Sequence, residues 1–184
     1  MADQQRQRRF EVLLREHQRI VFKIAAAYAT GAPDRDDLAQ EIAAQLWRSF
    51  GRFDERRAKF STWMYRVALN VAISHARHAH RAGAGHAEPF EEPHVASVAS
   101  TDEAPADGLE RAERIAALYA FIDGLDPLNR ALVLLYLEDR SYAEIAEVLG
   151  ISVTNVATKL NRIRQKLRPQ ATAAATEEVD YGTR

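Results

Sequence analysis

"SYAEIAEVLGISVTNVATKLNRIRQKLR", residues 141–168, is the stretch that decides the fold. Ser141 followed three positions later by Glu144 makes a capping box, which opens a short helix that Gly150 closes. Gly150-Ile151-Ser152 forms a tight turn, and a longer helix begins at about Val153. Two helices joined by a short glycine-containing turn make a helix-turn-helix, an arrangement that sets its second helix into a DNA major groove. Along that second helix Val153, Val156, Leu160, Ile163 and Leu167 step by three and four and define one buried face. Thr154, Asn155, Thr158, Asn161, Arg162 and Gln165 point away from it and can reach base edges. Lys159, Arg164, Lys166 and Arg168 flank them, where phosphates would be met.

Charge supports the same reading. Residues 150–168 hold five Lys or Arg and no carboxylate, although the chain's formal net charge is only −1. A solvated helix usually intersperses Glu or Asp, so unpaired cations over this length favour a polyanionic partner. Residues 52–81 add seven Lys or Arg against two acids, while residues 83–108 carry six acids and no Lys or Arg. Two basic blocks are offset by an acidic middle.

The 184 residues contain no cysteine, which excludes disulfides and thiolate zinc sites. No apolar run reaches the length of a membrane span, and "MADQQRQRRF" has no apolar core after its arginines. A soluble, cytoplasmic protein without membrane insertion is expected.

The fold class expected is all-α, as two small helical bundles joined by a flexible acidic linker. The N-terminal bundle spans 1–82, the Gly-, Pro-, Ser- and acid-rich linker 83–108, and the helix-turn-helix bundle 109–168. A tail at 169–184 is expected to be disordered because Pro169 stops the last helix. In the first bundle Phe10, Leu13, Leu14, His17, Ile20, Val21, Ile24 and Tyr28 trace one stripe, ended by "TGAPD". Leu38, Ile42, Leu46 and Phe50 trace a second, away from which Asp37, Gln40 and Glu41 share about 100° of arc. "GRFDERRAKFST" reads as a polar connection to a third helix, from about Ser61 to Arg81.

On that helix Met64, Val67, Ala68, Val71 and Ala72 lie on one side. Trp63, Arg66, Asn70, Ser74, Arg77 and Arg81 share about 80° on the other. From the helix alone two readings stay open. The face is a nucleic-acid surface, with an indole to stack and donors to bond, or Trp63 packs at the helix start while the arginines stay solvated.

Two basic helical modules around an acidic linker resemble the bacterial RNA polymerase sigma factors of the extracytoplasmic-function (ECF) group, which carry only sigma regions two and four. "DRDDLAQEIAAQLWRSFGRFD" is similar to the polymerase-docking part of region two, and "KFSTWMYRVALNVAISHARHAHR" to the part that melts and reads the minus-ten element. Residues 125–168 are similar to region four, which reads the minus-thirty-five element. The resemblance implies that Asp37, Gln40 and Glu41 contact the beta-prime coiled coil of core polymerase, and that region four meets the beta flap. It implies minus-ten roles for Phe60, Trp63 and Tyr65 as melting aromatics and for Asn70 in holding a flipped base, with Arg66, Ser74 and Arg77 beside it. It implies minus-thirty-five contacts from the outward residues of the last helix, Thr158, Asn161 and Arg162 above all. Ala157 stands where many relatives place Lys or Arg, which leaves the promoter sequence open. An anti-sigma partner is also implied, and the linker is either a thread toward the RNA exit path or a solubilising spacer.

Two other classes fit parts of the same sequence. His75, His78, His80 and His86 have spacings that bind zinc, but no HExxH or carboxylate in register accompanies them, so no metal, cofactor or catalytic residue is assigned. A conventional helix-turn-helix regulator, binding duplex without polymerase, explains residues 141–168 but leaves the Trp63–Asn70–Arg77 face and the Asp37–Glu41 arc without a purpose.

Overall fold

The computed structural model describes residues 2–81, 117–118 and 120–177, with side chains over 3–79, 117–118 and 120–167. The expected linker at 83–108 lies outside the described residues, as do the tail beyond residue 177 and residues 109–116 and 119 of the expected second bundle. The chain divides into two compact units, Met1–Glu113 and Arg114–Arg184, each with its own core.

The first unit is built from α1 (Ala2–Tyr28), α2 (Gly31–Ser49), a 3-10 turn (Phe50–Arg52) and α3 (Phe60–Arg81). Each long helix packs on the other two. The apolar stripes explain why: Phe10, Ile20, Val21, Ile24 and Tyr28 of α1 are buried, and Leu38, Ile42, Leu46, Met64, Ala68 and Ala72 are fully enclosed. Truncating one such Leu or Ile costs about 2–5 kcal/mol, a large part of the roughly 5–15 kcal/mol that holds a domain together. Between α1 and α2 the chain reverses at Gly31, whose φ of 80° suits a residue without Cβ. Asp34 then accepts the Thr30 backbone N–H at 2.9 Å, which satisfies a donor at the start of α2.

In the second unit residues 120–123 are helical, followed by α4 (Pro127–Leu137), α5 (Tyr142–Leu149) and α6 (Val153–Glu177). The local signals act as expected. Asp126 caps α4 by accepting from the Asn129 backbone N–H at 3.1 Å, ahead of the first-turn Pro127. Ser141 and Glu144 exchange hydrogen bonds across the start of α5, at 3.2 and 2.9 Å. Gly150, at φ 67°, ends α5 while the Ile151 N–H returns to the Ala146 carbonyl at 3.1 Å. Ser152 then caps α6 through the Asn155 N–H at 3.2 Å. Ala131, Leu132, Leu135, Ile145, Val156 and Leu160 form the core beneath this helix-turn-helix.

Two expectations are corrected. The last helix does not stop at Pro169 but continues to Glu177. A proline costs one backbone bond and a local clash, yet "ATAAAT" beyond it is rich in alanine, the strongest helix former. Val153, read as inward, is 48% exposed, because as the first residue of α6 it projects past the packed part of the helix.

Candidate nucleic-acid interface

The outward face of α3 forms as its periodicity predicts. Arg66, Asn70, Ser74 and Arg77 are exposed along it, while Met64, Ala68 and Ala72 fill the core behind. Ser74 Oγ donates to the Asn70 carbonyl at 2.8 Å, so its hydroxyl proton is committed to the helix and its lone pairs face outward as acceptors. The Arg81 side chain lies outside the described residues.

The aromatic residues are arranged differently. Phe60 and Tyr65, expected beside DNA, are buried at 7% and 5% exposure. The reason is that α3 packs against both α1 and α2, which covers more of its circumference than a single apolar stripe implies. Trp63 is half-buried, 5.2 Å between ring centroids from Phe53 and 5.4 Å from Phe60. Phe50 joins them at 6.3 Å from both Phe60 and Trp63, and Phe10 joins Phe50 and Trp47 at 5.2 Å each. Trp63 therefore stands at the rim of a continuous aromatic cluster: the indole packs, and part of it stays open. The α2–α3 connection, read as merely polar, is pinned into the same cluster by half-buried Phe53. The signal that sequence reading passed over was that phenylalanine among charges.

Asp37, Gln40 and Glu41 are all exposed on α2. Gln40 also lines a groove of about 530 Å³ between α2 and α1, together with Leu14, Gln18, Val21, Phe22 and Ala43. Phe22 is 59% exposed there, an apolar side chain beside the acidic arc that the α1 stripe did not include. His75 pairs with Asp34 at the start of α2, Nε2 to Oδ1 3.3 Å, and so is held against α2 instead of joining the α3 face. Among the described residues no group of three or more His, Cys, Asp or Glu could hold a metal ion, and the His80 and His86 side chains lie outside them.

On α6, Thr154, Asn155, Thr158, Asn161, Arg162, Gln165 and Lys166 are exposed, Lys159 is half-buried, and Val156, Leu160 and Ile163 are buried beneath them. Thr158 Oγ1 donates to the Thr154 carbonyl at 2.9 Å and, like Ser74, turns acceptor lone pairs outward. Among the described residues, Lys159, Arg162 and Lys166 make no ion pair. Arg164 differs from its expected place among phosphate contacts, since it bonds to Tyr142 at 3.3 Å. The arrangement is a polar and cationic helix face immediately after a tight turn, whose Lys159, Arg162 and Lys166 have no carboxylate partner among the described residues. Such a face meets phosphates at its flanks and base edges at its centre.

Comparison with known proteins agrees with this geometry. Residues 13–82 match the family model for sigma-70 region 2, and residues 115–167 match that for sigma-70 region 4. The chain is 30% identical to the RNA polymerase sigma-H factor of Pseudomonas aeruginosa, over 87% of this chain and 84% of that one. It is 29% identical to the ECF RNA polymerase sigma factor SigE of Mycolicibacterium smegmatis, over 91% of this chain and 63% of the relative. Among solved structures it is similar to CnrH in complex with the cytosolic domain of CnrY, with a TM-score of 0.59, 27% identity, and coverage of 91% and 90% of the two chains.

Proposed function

This chain belongs to the extracytoplasmic-function group of bacterial RNA polymerase sigma factors, and from that membership we infer how its two units divide promoter-directed transcription initiation. The first unit docks on core polymerase through Asp37, Gln40 and Glu41, with the α1–α2 groove around Phe22 as the apolar part of the same surface. Its α3 face meets the minus-ten element. Arg66 and Arg77 take phosphates, Asn70 bonds the edge of an unstacked base, and Trp63 offers a stacking edge. Phe60 and Tyr65 serve that face from beneath, by holding Trp63 and the helix in place. A stacking residue whose own position is fixed by packing binds a base without ordering itself first.

The second unit reads the minus-thirty-five element with α6. Thr154, Asn155, Thr158, Asn161, Arg162 and Gln165 supply base-edge donors and acceptors, and Lys159 and Lys166 supply phosphate contacts. One observation carries the assignment: the exposed face of α6 over residues 154–166, directly after the Gly150 turn, has cations and no carboxylate. CnrH was solved with the cytosolic domain of CnrY, and an anti-sigma protein is proposed as a partner here. Among the described residues no helix is long and apolar enough to cross a membrane; the cytoplasm, where polymerase and promoters meet, is the proposed location. The work assigned to this chain is recognition and strand separation as a polymerase subunit, with no covalent step.

In-vitro transcription decides between this reading and a regulator that works alone. The chain added to core polymerase is expected to start RNA at defined promoters while binding those promoters weakly by itself. Tight, specific duplex binding without polymerase, with no RNA start in its presence, would overturn the assignment.

A further inference from the structure

The first turns of α1 carry Arg6, Arg8 and Arg9, and the α2–α3 connection carries Arg52, Arg56, Arg57 and Lys59, all exposed. Folding brings the two segments together. Arg9 forms an ion pair with Glu55, and its guanidinium lies 6.0 Å from the Phe50 ring. Arg6 lies 4.9 Å over Trp47. The connection has two carboxylates. Asp54 is exposed and bonded to its own loop, where Oδ1 accepts the Arg56 N–H at 3.0 Å. Against these seven cations stand Asp3 and Glu11 on α1 and Asp54 and Glu55 on the connection, so this end of the unit carries net positive charge, and among the described residues Glu55 is the carboxylate paired with an α1 arginine.

The pair is open to water. The Arg9 and Glu55 side chains are 53% and 63% exposed, and an ion pair in that setting is weak and screened. A backbone phosphodiester offers the guanidinium the same single charge and two free oxygens, and the neighbouring phosphates of the strand add to the attraction, so it competes for the same guanidinium. The pair also sits beside the aromatic cluster: Phe50, under Arg9, is 6.3 Å from Trp63 and 6.1 Å from Phe53. Single-stranded nucleic acid is bound by cations that follow its backbone beside aromatic rings that take its bases, and this end supplies both.

We propose that Glu55 guards Arg9. In the free protein the carboxylate occupies the guanidinium; in the open promoter a backbone phosphate of the separated DNA strand replaces it, and Arg56 and Arg57 meet neighbouring phosphates. The proposal rests on the assignment of Trp63 and the α3 face to that strand. The guard lowers the affinity of the free chain for polyanions in general, and its cost is recovered only when the strand is held on the α3 face as well.

The test is fluorescence anisotropy of a short labelled oligodeoxythymidylate against the full chain and against its complex with core polymerase, over a range of salt concentrations. Glu55→Gln is expected to tighten binding several-fold, and Arg9→Gln in the same chain to abolish that gain. Replacing both Arg56 and Arg57 by Gln should reduce the slope of log affinity against log salt by about 1.4, from roughly 0.7 per single-strand phosphate. Unaltered melting temperatures show that these surface variants stay folded. The proposal is overturned if Glu55→Gln leaves binding unchanged or weaker, if its gain survives Arg9→Gln, or if the salt slope is unmoved. Wild-type transcription distinguishes the two levels: failure to start RNA removes the sigma assignment, whereas normal starts with unmoved binding remove only the guard.

Discussion

Arg164 of α6 reaches back to Tyr142 of α5, its Nη2 donating to the phenolic oxygen at 3.3 Å, while its guanidinium lies 4.8 Å from the Tyr136 ring of α4. The hydrogen bond to Tyr142, with Tyr136 beside it, raises the arginine's proton affinity further. One cation thus ties three helices of the second unit. Arg164→Ala is expected to lower the stability of that unit by about 0.5–1 kcal/mol, the worth of an exposed cation–π contact. Discrimination between promoter and scrambled duplex should stay unchanged. Thermal melting and duplex titration check the two halves of this prediction.

Asn70 is exposed at the centre of the α3 face and makes room for a base without disturbing the core. Asn70→Ala should slow open-complex formation, read by permanganate reactivity of unpaired thymines, and leave affinity for core polymerase intact. If core binding falls instead, the side chain is structural.

Arg162 presents its guanidinium from α6 among the described residues without an ion-pair partner. Arg162→Ala should cost roughly 1–3 kcal/mol of minus-thirty-five recognition, the range for a base contact. Competition between specific and scrambled duplexes measures it; an equal loss on both would make Arg162 a phosphate contact.

Phe22 is 59% exposed in the groove that Gln40 also lines. An apolar anchor at a docking surface gives binding energy with little contribution to the fold. Phe22→Ala is therefore expected to weaken core-polymerase binding by about 1 kcal/mol or more, with the melting temperature unchanged or slightly raised. A competition assay against the wild-type chain reads the difference.

Glu144 accepts the Ser141 backbone N–H, and that bond, followed by the one from the Ser141 hydroxyl, holds its carboxyl below the ordinary carboxylate range. A folded value below the unfolded one gives stability that is present above the unfolded pKa and fades as pH falls through the folded one. Asp123 has the opposite sign, since burial raises it more than Arg130 lowers it, and its effect fades as pH rises. Melting temperature against pH should accordingly show wild type above Glu144→Gln at neutral pH, with the gap closing in acid. A gap that stays constant with pH would remove the ionised cap from the account.

The sequence by itself determined most features whose partners lie within about one helical turn, although Pro169 did not end its helix. The Ser141–Glu144 box, the Gly150 turn and the outward set from Thr154 to Lys166 are local hydrogen bonding and helical period, and both are written in consecutive residues. The stripes of α1, α2 and α3 follow from the same period. Tertiary structure decided the rest. Periodicity gives the direction of a side chain about its own axis but not how much of that circumference neighbouring helices cover, which is why Phe60 and Tyr65 lie inside and Phe22 outside. Phe53 is half-buried against a tryptophan ten positions away, Arg164 is drawn to a tyrosine twenty-two positions back, and Arg9 meets Glu55 across forty-six residues. Such contacts exist only once the helices have packed, because the energy that places them comes from long-range burial, to which no short stretch of chain has access.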